Sequence, residues 1–173
     1  MTVSLVGNIF DQIETYGIDA IQNAANCIGK PMGRGIAGEI RLWGGYEIQD
    51  DAYRVCSRDN PCPGDAYSTI SGSLKARGIK RIIHACTMKQ PNGYTDYDIV
   101  RSAFKAAIKL AEQEGVTCLG CTALGTGVGR LDPKLVAAEM VSALIGADSK
   151  ISFVFCDHNA DFINEIKKLS KLV

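Results

Sequence analysis

Net charge is the first thing this chain lacks: its 19 lysines and arginines are offset by 19 aspartates and glutamates. Without a basic surface it has no field for non-specific nucleic-acid binding, although recognition of a single nucleotide stays open. Long apolar runs are missing too, none approaching the roughly 20 residues of a membrane span. No charged-then-apolar leader precedes Val3–Val6, so export is not expected. The seven cysteines are therefore read as reduced thiols of a cytoplasmic protein rather than a disulfide framework. Histidine is scarce, with two residues. Cys118-Leu-Gly-Cys121 has CxxC form, yet no second CxxC or His pair completes a zinc site. It falls in an apparent strand, where positions three apart face opposite sides, so buried thiols and no metal are expected. Repeats, linkers and low-complexity segments are also absent. A single domain over residues 1–173, with a sizeable core, is the expectation.

Glycine, by contrast, is abundant, and two glycine-rich stretches dominate the sequence: Pro31-Met-Gly-Arg-Gly-Ile-Ala-Gly38 and Ala123-Leu-Gly-Thr-Gly-Val-Gly-Arg-Leu-Asp-Pro133. Each lies where a strand or loop hands over to a helix. Such a stretch frees backbone N–H groups to point at an anion, and the helix dipole adds to the attraction. Two of them imply a site that holds a diphosphate from both sides.

Helix and strand signals alternate. Helices are expected over Gly35–Trp43, Glu47–Cys56 and Thr95–Glu114. The last of these has a capping-box-like start at Thr95 and Asp98, an apolar face from Ile99 to Ala111 and a stop at Gly115. Asp132-Pro133 reads as an N-cap followed by proline at the first helical position, ahead of the buried stripe Val136, Met140, Ala143 and Leu144. Asn159 caps a last helix that turns Phe162, Ile163, Ile166 and Leu169 inward. Strands are expected at Val3–Val6, Ile18–Gln22, Ala66–Ser71, Arg81–Cys86, Thr117–Leu124 and Lys150–Phe155. This order predicts an α/β fold with three layers, α/β/α, around a central mixed, largely parallel sheet of about six strands. Ligands of such sheets sit beyond the carboxyl ends of the strands, which is where both glycine loops fall.

Asp19-Ala-Ile-Gln-Asn-Ala-Ala-Asn26 leads into the first loop. The amides of Asn23 and Asn26 offer donor and acceptor together, which suits a ribose diol; the other role of such amides is to tie down loop backbone. The backbone role is expected of Asn23, the ligand role of Asn26. Gly33-Arg-Gly-Ile-Ala-Gly38 also spells GxGxxG. A dinucleotide-binding unit would place that motif directly after the first strand, with an acid closing the next strand. Here about ten residues are expected between strand and motif, and Asp50 and Asp51 fall in an expected helix.

These segments together, with Gly7-Asn-Ile-Phe10 and Pro63-Gly-Asp-Ala-Tyr before Arg81-Ile-Ile-His-Ala85, resemble the macrodomain family over nearly the whole chain. Macrodomains are ADP-ribose-binding α/β/α modules, many of them hydrolases of ADP-ribosyl linkages. The resemblance places Asn8 and Ile9 at the adenine and Asn26 at the distal ribose; Asn23, near it in sequence, is counted among the ligand-lining residues. It places Gly33, Arg34, Gly35 and Ile36 on the first phosphate loop, and Gly125, Thr126, Gly127, Val128 and Gly129 on the second. Cys156 falls where some members stack an aromatic ring on adenine. No cofactor is implied; the implied partner is ADP-ribose or an ADP-ribosylated substrate.

The chain departs from the pattern in ways that bear on chemistry. Asn8 replaces an aspartate that reads the adenine amino group in many members, removing a charge-assisted bond. Gly129 stands where many have an aromatic wall against the ribose, and Tyr94, Tyr97 or His158 is a possible substitute. Ala37 replaces the catalytic aspartate of one subgroup. The spellings MGRGIA and LGTGVGRLD are nearer a second subgroup, some of whose members use a lysine shortly after the fourth strand. Met88 aligns with that lysine and Lys89 follows it. Asn26 and Lys89 are thus the catalytic candidates. The sequence supports a hydrolase of a mono-ADP-ribosyl adduct, O-acetyl-ADP-ribose or ADP-ribose 1″-phosphate, with a non-catalytic ADP-ribose reader as the alternative.

Overall fold

The computed structural model describes residues 2–172. Six strands form one sheet in the order β1-β6-β5-β2-β4-β3, with β1 at Thr2–Val6, β2 at Ala20–Asn26, β3 at Ala66–Thr69, β4 at Arg81–Met88, β5 at Cys118–Cys121 and β6 at Ser152–Asp157. All neighbours are parallel except β3, which runs antiparallel to β4 at the edge. The helices are α1 (Ile13–Tyr16), α2 (Gly35–Gly44), α3 (Tyr46–Asp59), α4 (Tyr97–Gln113), α5 (Pro133–Ala147) and α6 (Ala160–Leu169), with short 3₁₀ turns at Ile9–Gln12, Gly72–Arg77 and Ser170–Leu172. Among the described residues, no helix is long and apolar enough to cross a membrane.

Strand alternation builds the three layers. Ala20, Ile83, Leu119 and Phe153 join the core shared with Phe104, Met140 and Phe162 of α4, α5 and α6. Their neighbours Ile21, Ile82, Cys118 and Val154 join the opposite core, with Ile13, Ile40 and Ile48 of α1, α2 and α3. Successive residues serve opposite faces because the side-chain period of a strand is two. Cys118 and Cys121 therefore end up in different cores. All seven cysteines are free; six are buried, while Cys62 is exposed.

One buried carboxylate aligns the strands. Asp19, just before β2, accepts from the amide and hydroxyl of Thr117, from the Cys118 amide and from Lys80 Nζ at 2.8 Å. Burial pushes its pKa up, but the bonds from Lys80, Cys118 and Thr117 outweigh that and hold it below the usual carboxylate range. The starts of β2, β4 and β5 are thereby tied together, so their carboxyl ends open on the same side.

Element boundaries shift from the sequence expectation where backbone partners extend or end a strand. β2 was expected to stop at Gln22 but continues to Asn26 along β4, with Asn23 opposite His84. The apolar pattern fades there, while the strand continues because the β4 backbone stays within reach as far as Met88. β5 is shorter than expected: from Thr122 the chain leaves the sheet for the second glycine loop. The cap of α4 is Asp96, accepting from the Ile99 amide at 2.8 Å, rather than the Thr95/Asp98 pair. Asp132 and Asn159 cap α5 and α6 as the sequence indicates.

Candidate active site

The carboxyl ends of β2, β4, β5 and β6 open into a cavity of about 1130 Å³. Its walls include Asn8, Ile9, Asn23, Asn26, Gly33, Arg34, Gly35, Ile36, Gly125, Thr126, Gly127, Val128, Gly129 and Cys156, so the structure gathers these residues, distant in sequence, around one space. Lys89 is not among them. Its ammonium turns outward to Pro61 O (3.2 Å) and Asn60 Oδ1 (3.4 Å), because Met88, the last residue of β4, is the one facing the cavity.

The glycine loops contribute backbone. In the second loop Leu131 N donates to Gly125 O (3.1 Å) and Arg130 N to Gly127 O (3.2 Å), closing a compact bend. Among the described residues, the N–H groups of residues 125–129 find no protein acceptor. Gly129 must be glycine for a packing reason: a Cβ there would lie 2.5 Å from Gly125 O and 2.4 Å from Thr95 Cγ2. An aromatic side chain at this position is thus excluded by the loop's own fold. Gly127 is different, with nothing within 4 Å of a Cβ. The first loop runs into the N-terminus of α2, where the Gly35, Ile36 and Ala37 amides likewise lack acceptors, and Gly35 adopts a left-handed φ of 55°. The loop is braced by Met32 N donating to Gln49 Oε1 of α3 (2.8 Å). Two sets of free N–H groups therefore border one cavity, and backbone donors of this kind bind anions whatever the side chains are.

The strand-end amides are held differently from each other. Asn26 Oδ1 accepts from the Ile28 and Gly29 amides at 2.9 and 3.0 Å, an Asx-type loop tie. Its Nδ2 has no protein partner among the described residues and borders the cavity. Asn23 makes no loop tie, because β2 extends through it. Its Nδ2 lies 2.9 Å from His84 Nδ1, and His84 Nε2 lies 2.9 Å from Thr69 Oγ1, which donates to Ile70 O at 3.1 Å. An amide nitrogen only donates, so Nδ1 accepts and the proton of the neutral ring sits on Nε2. Burial lowers the His84 pKa to about 3, keeping the ring neutral. The Tyr67 ring stacks on it at 4.5 Å between centroids.

A model of the Macro domain family matches residues 22–140. The chain belongs to the Macro domain family. An uncharacterised protein of Aquifex aeolicus is 37% identical over 127 residues, spanning 73% of this chain and 72% of its own length. The O-acetyl-ADP-ribose deacetylase of Escherichia fergusonii is 32% identical over 130 residues, 74% of this chain and 71% of that one. An Oceanobacillus iheyensis macrodomain mutant with ADPR superposes with a TM-score of 0.79 at 16% identity, covering 96% of this chain and 90% of that one. The six-stranded sheet between two helical layers is the macrodomain fold.

Within this macrodomain the departures acquire surroundings. Asn8 is anchored through both ends of its amide: Oδ1 accepts from Phe10 N (2.9 Å) and Nδ2 donates to Glu39 Oε2 of α2 (2.8 Å). Cys156 is buried beside Gly7, and burial pushes its thiol up to about 11, so it presents a neutral, compact wall. Tyr94 bonds to Asp96 and Tyr97 accepts from Asp132 N, both away from the cavity; His158 borders it. Ala37 also borders it, without a carboxylate. The GxGxxG reading fits poorly: residues 27–32 separate β2 from Gly33, and Asp50 and Asp51 lie within α3.

Sequence reasoning missed Glu39 and Asp157, both on the cavity wall. Glu39 lies four residues after Gly35, one helical turn into α2, so the helix period alone would place it on the same side. Asp157 lies beyond the expected strand end at Phe155; it ends β6 instead, accepting from Ala123 N (3.0 Å) and Asn159 N (2.8 Å).

Proposed function

We propose that this macrodomain binds ADP-ribose and hydrolyses an ADP-ribosyl derivative: a mono-ADP-ribosyl adduct, O-acetyl-ADP-ribose or ADP-ribose 1″-phosphate. The observation that carries the reading is the pair of acceptor-free N–H runs, residues 35–37 and 125–129, on one cavity. They suit a diphosphate, with Arg34 and Arg130 on the same wall as added positive charge. Adenine then lies toward Asn8, Ile9 and Cys156, and the distal ribose toward Asn26, whose free Nδ2 donates to a hydroxyl. The named activity of the Escherichia fergusonii relative supports this class of substrate.

For an adduct at the anomeric carbon, a water held by the substrate's own phosphate attacks that carbon. The bond to the leaving group breaks, and the water's proton passes by way of the phosphate to the departing atom. Asn26 acts by orienting the ribose. Such substrate-assisted chemistry needs no protein base, and it is slow.

A second reading, a reader that binds without turnover, is favoured by one observation. The carboxylates bordering the cavity are Glu39, bonded to Asn8, and Asp157, bonded to backbone, while Lys89 faces away. Calorimetric titration with ADP-ribose, followed by chromatography of the three substrates in the same sample, separates the readings. Binding with released product establishes the hydrolase, binding alone establishes the reader, and no binding removes ADP-ribose from both.

A further inference from the structure

The cavity wall holds a carboxylate with spare capacity, Glu39, one helical turn into α2. Of the two carboxylates on the wall, Asp157 gives its two oxygens to the Ala123 and Asn159 amides. Glu39 gives only Oε2, to Asn8 Nδ2 at 2.8 Å. Among the described residues Oε1 has no hydrogen-bond partner and no lysine, arginine or histidine pairs with Glu39. Asn8 is anchored in turn by its Oδ1, which caps the 3₁₀ turn at Phe10. The pair is therefore held in one orientation: an accepting carboxylate oxygen from α2 beside an amide nitrogen with one N–H still free.

Charge of both signs borders the cavity: Arg34 and Arg130 stand with the free backbone donors, and Glu39 and Asp157 are its carboxylates. A carboxylate repels a diphosphate and attracts a neutral donor, so the uncharged, donor-bearing end of a ligand belongs beside Glu39.

Resting on the ADP-ribose reading above, we infer that Glu39 is the residue that selects the base, Oε1 accepting from the exocyclic amine of adenine while the free N–H of Asn8 donates to the adjacent ring nitrogen. The acceptor lost when asparagine stands at position 8 is thus supplied from α2. A hypoxanthine base presents the reverse order, a carbonyl where adenine has the amine and an N–H where adenine has a bare nitrogen. It sets lone pair against lone pair at Glu39 and hydrogen against hydrogen at Asn8.

The test is calorimetry of the wild type and Glu39→Gln with ADP-ribose and its hypoxanthine counterpart, inosine-diphosphate ribose. The amide of the variant keeps the bond to Asn8 through its oxygen but turns a donor toward the base. The wild type is expected to prefer adenine by about tenfold or more, and the variant to lose that preference or reverse it. Thermal unfolding of both proteins establishes that the variant is folded. A folded variant with unchanged ADP-ribose affinity and an unchanged adenine-to-hypoxanthine ratio overturns the assignment while leaving the ADP-ribose reading in place. A wild type that binds neither compound removes that reading and the base selection with it.

Discussion

The glycine loops and the strand-end side chains border the same cavity but are built on opposite terms. The loops present backbone N–H groups, and their requirement is room: Gly129 is pressed against Gly125 O, while Gly127 faces open space. The side chains of Asn8, Asn23, Asn26 and Glu39 are each oriented by one or two hydrogen bonds to a neighbour. A backbone-built site tolerates many spellings and is broken by adding atoms. A side-chain-built site is re-specified by exchanging one atom for another.

The largest effect should come from filling the open position. Gly127→Glu is expected to leave the fold intact and to weaken ADP-ribose binding by at least about a hundredfold, since a carboxylate enters the diphosphate site. Calorimetry on the folded variant checks this; an undiminished affinity would move the diphosphate elsewhere. Gly129→Ala acts on the fold instead. Its Cβ overpacks Gly125 and Thr95, lowering unfolding free energy by about 1–3 kcal/mol, whereas Gly127→Ala changes little. Equal denaturation midpoints for the two alanine variants would erase the distinction within the loop.

On the side-chain side, His84 ties stability to pH. The unfolded imidazole takes up a proton near pH 6.5 and the folded one only near 3. The unfolded state thus binds more protons in between, and stability falls as pH falls through that window, by about 1.4 kcal/mol per unit. Denaturation at pH 6.5 and 5.5 should show the wild type losing about 1 kcal/mol more than His84→Gln; identical losses would mean the ring protonates within the fold. The smallest effect on affinity is expected at Asn26. Asn26→Ala should lower turnover about tenfold while changing ADP-ribose affinity by about threefold or less. Equal losses in single-turnover rate and calorimetric affinity would make Asn26 an ordinary contact.

The six strands, the main helices and the two loops were readable because each is a local pattern. Short β-branched runs, Asp132-Pro133 and Asn159 as caps, and clustered glycines all act over a few residues. The protein hydrogen bonds of Asn23 and Asn26 were not readable. They depend on β2 continuing to Asn26, which a strand across from it decides. Lys89 lies just past the end of β4, and its bonds to Asn60 and Pro61, 29 and 28 residues earlier, turn it away from the cavity. Glu39 carried a helical phase but no sign of its partner Asn8, which lies 31 residues earlier.

By itself, the sequence determined that the chain forms a layered α/β domain with two anion-directed loops, because capping, patterning and glycine's freedom are properties of neighbouring residues. Tertiary structure alone decided which oxygen or nitrogen each polar side chain offers to the cavity. A side-chain amide or carboxylate has several equivalent ways to bond, and only a partner fixed in space, as His84 is for Asn23 and Asn8 is for Glu39, selects among them.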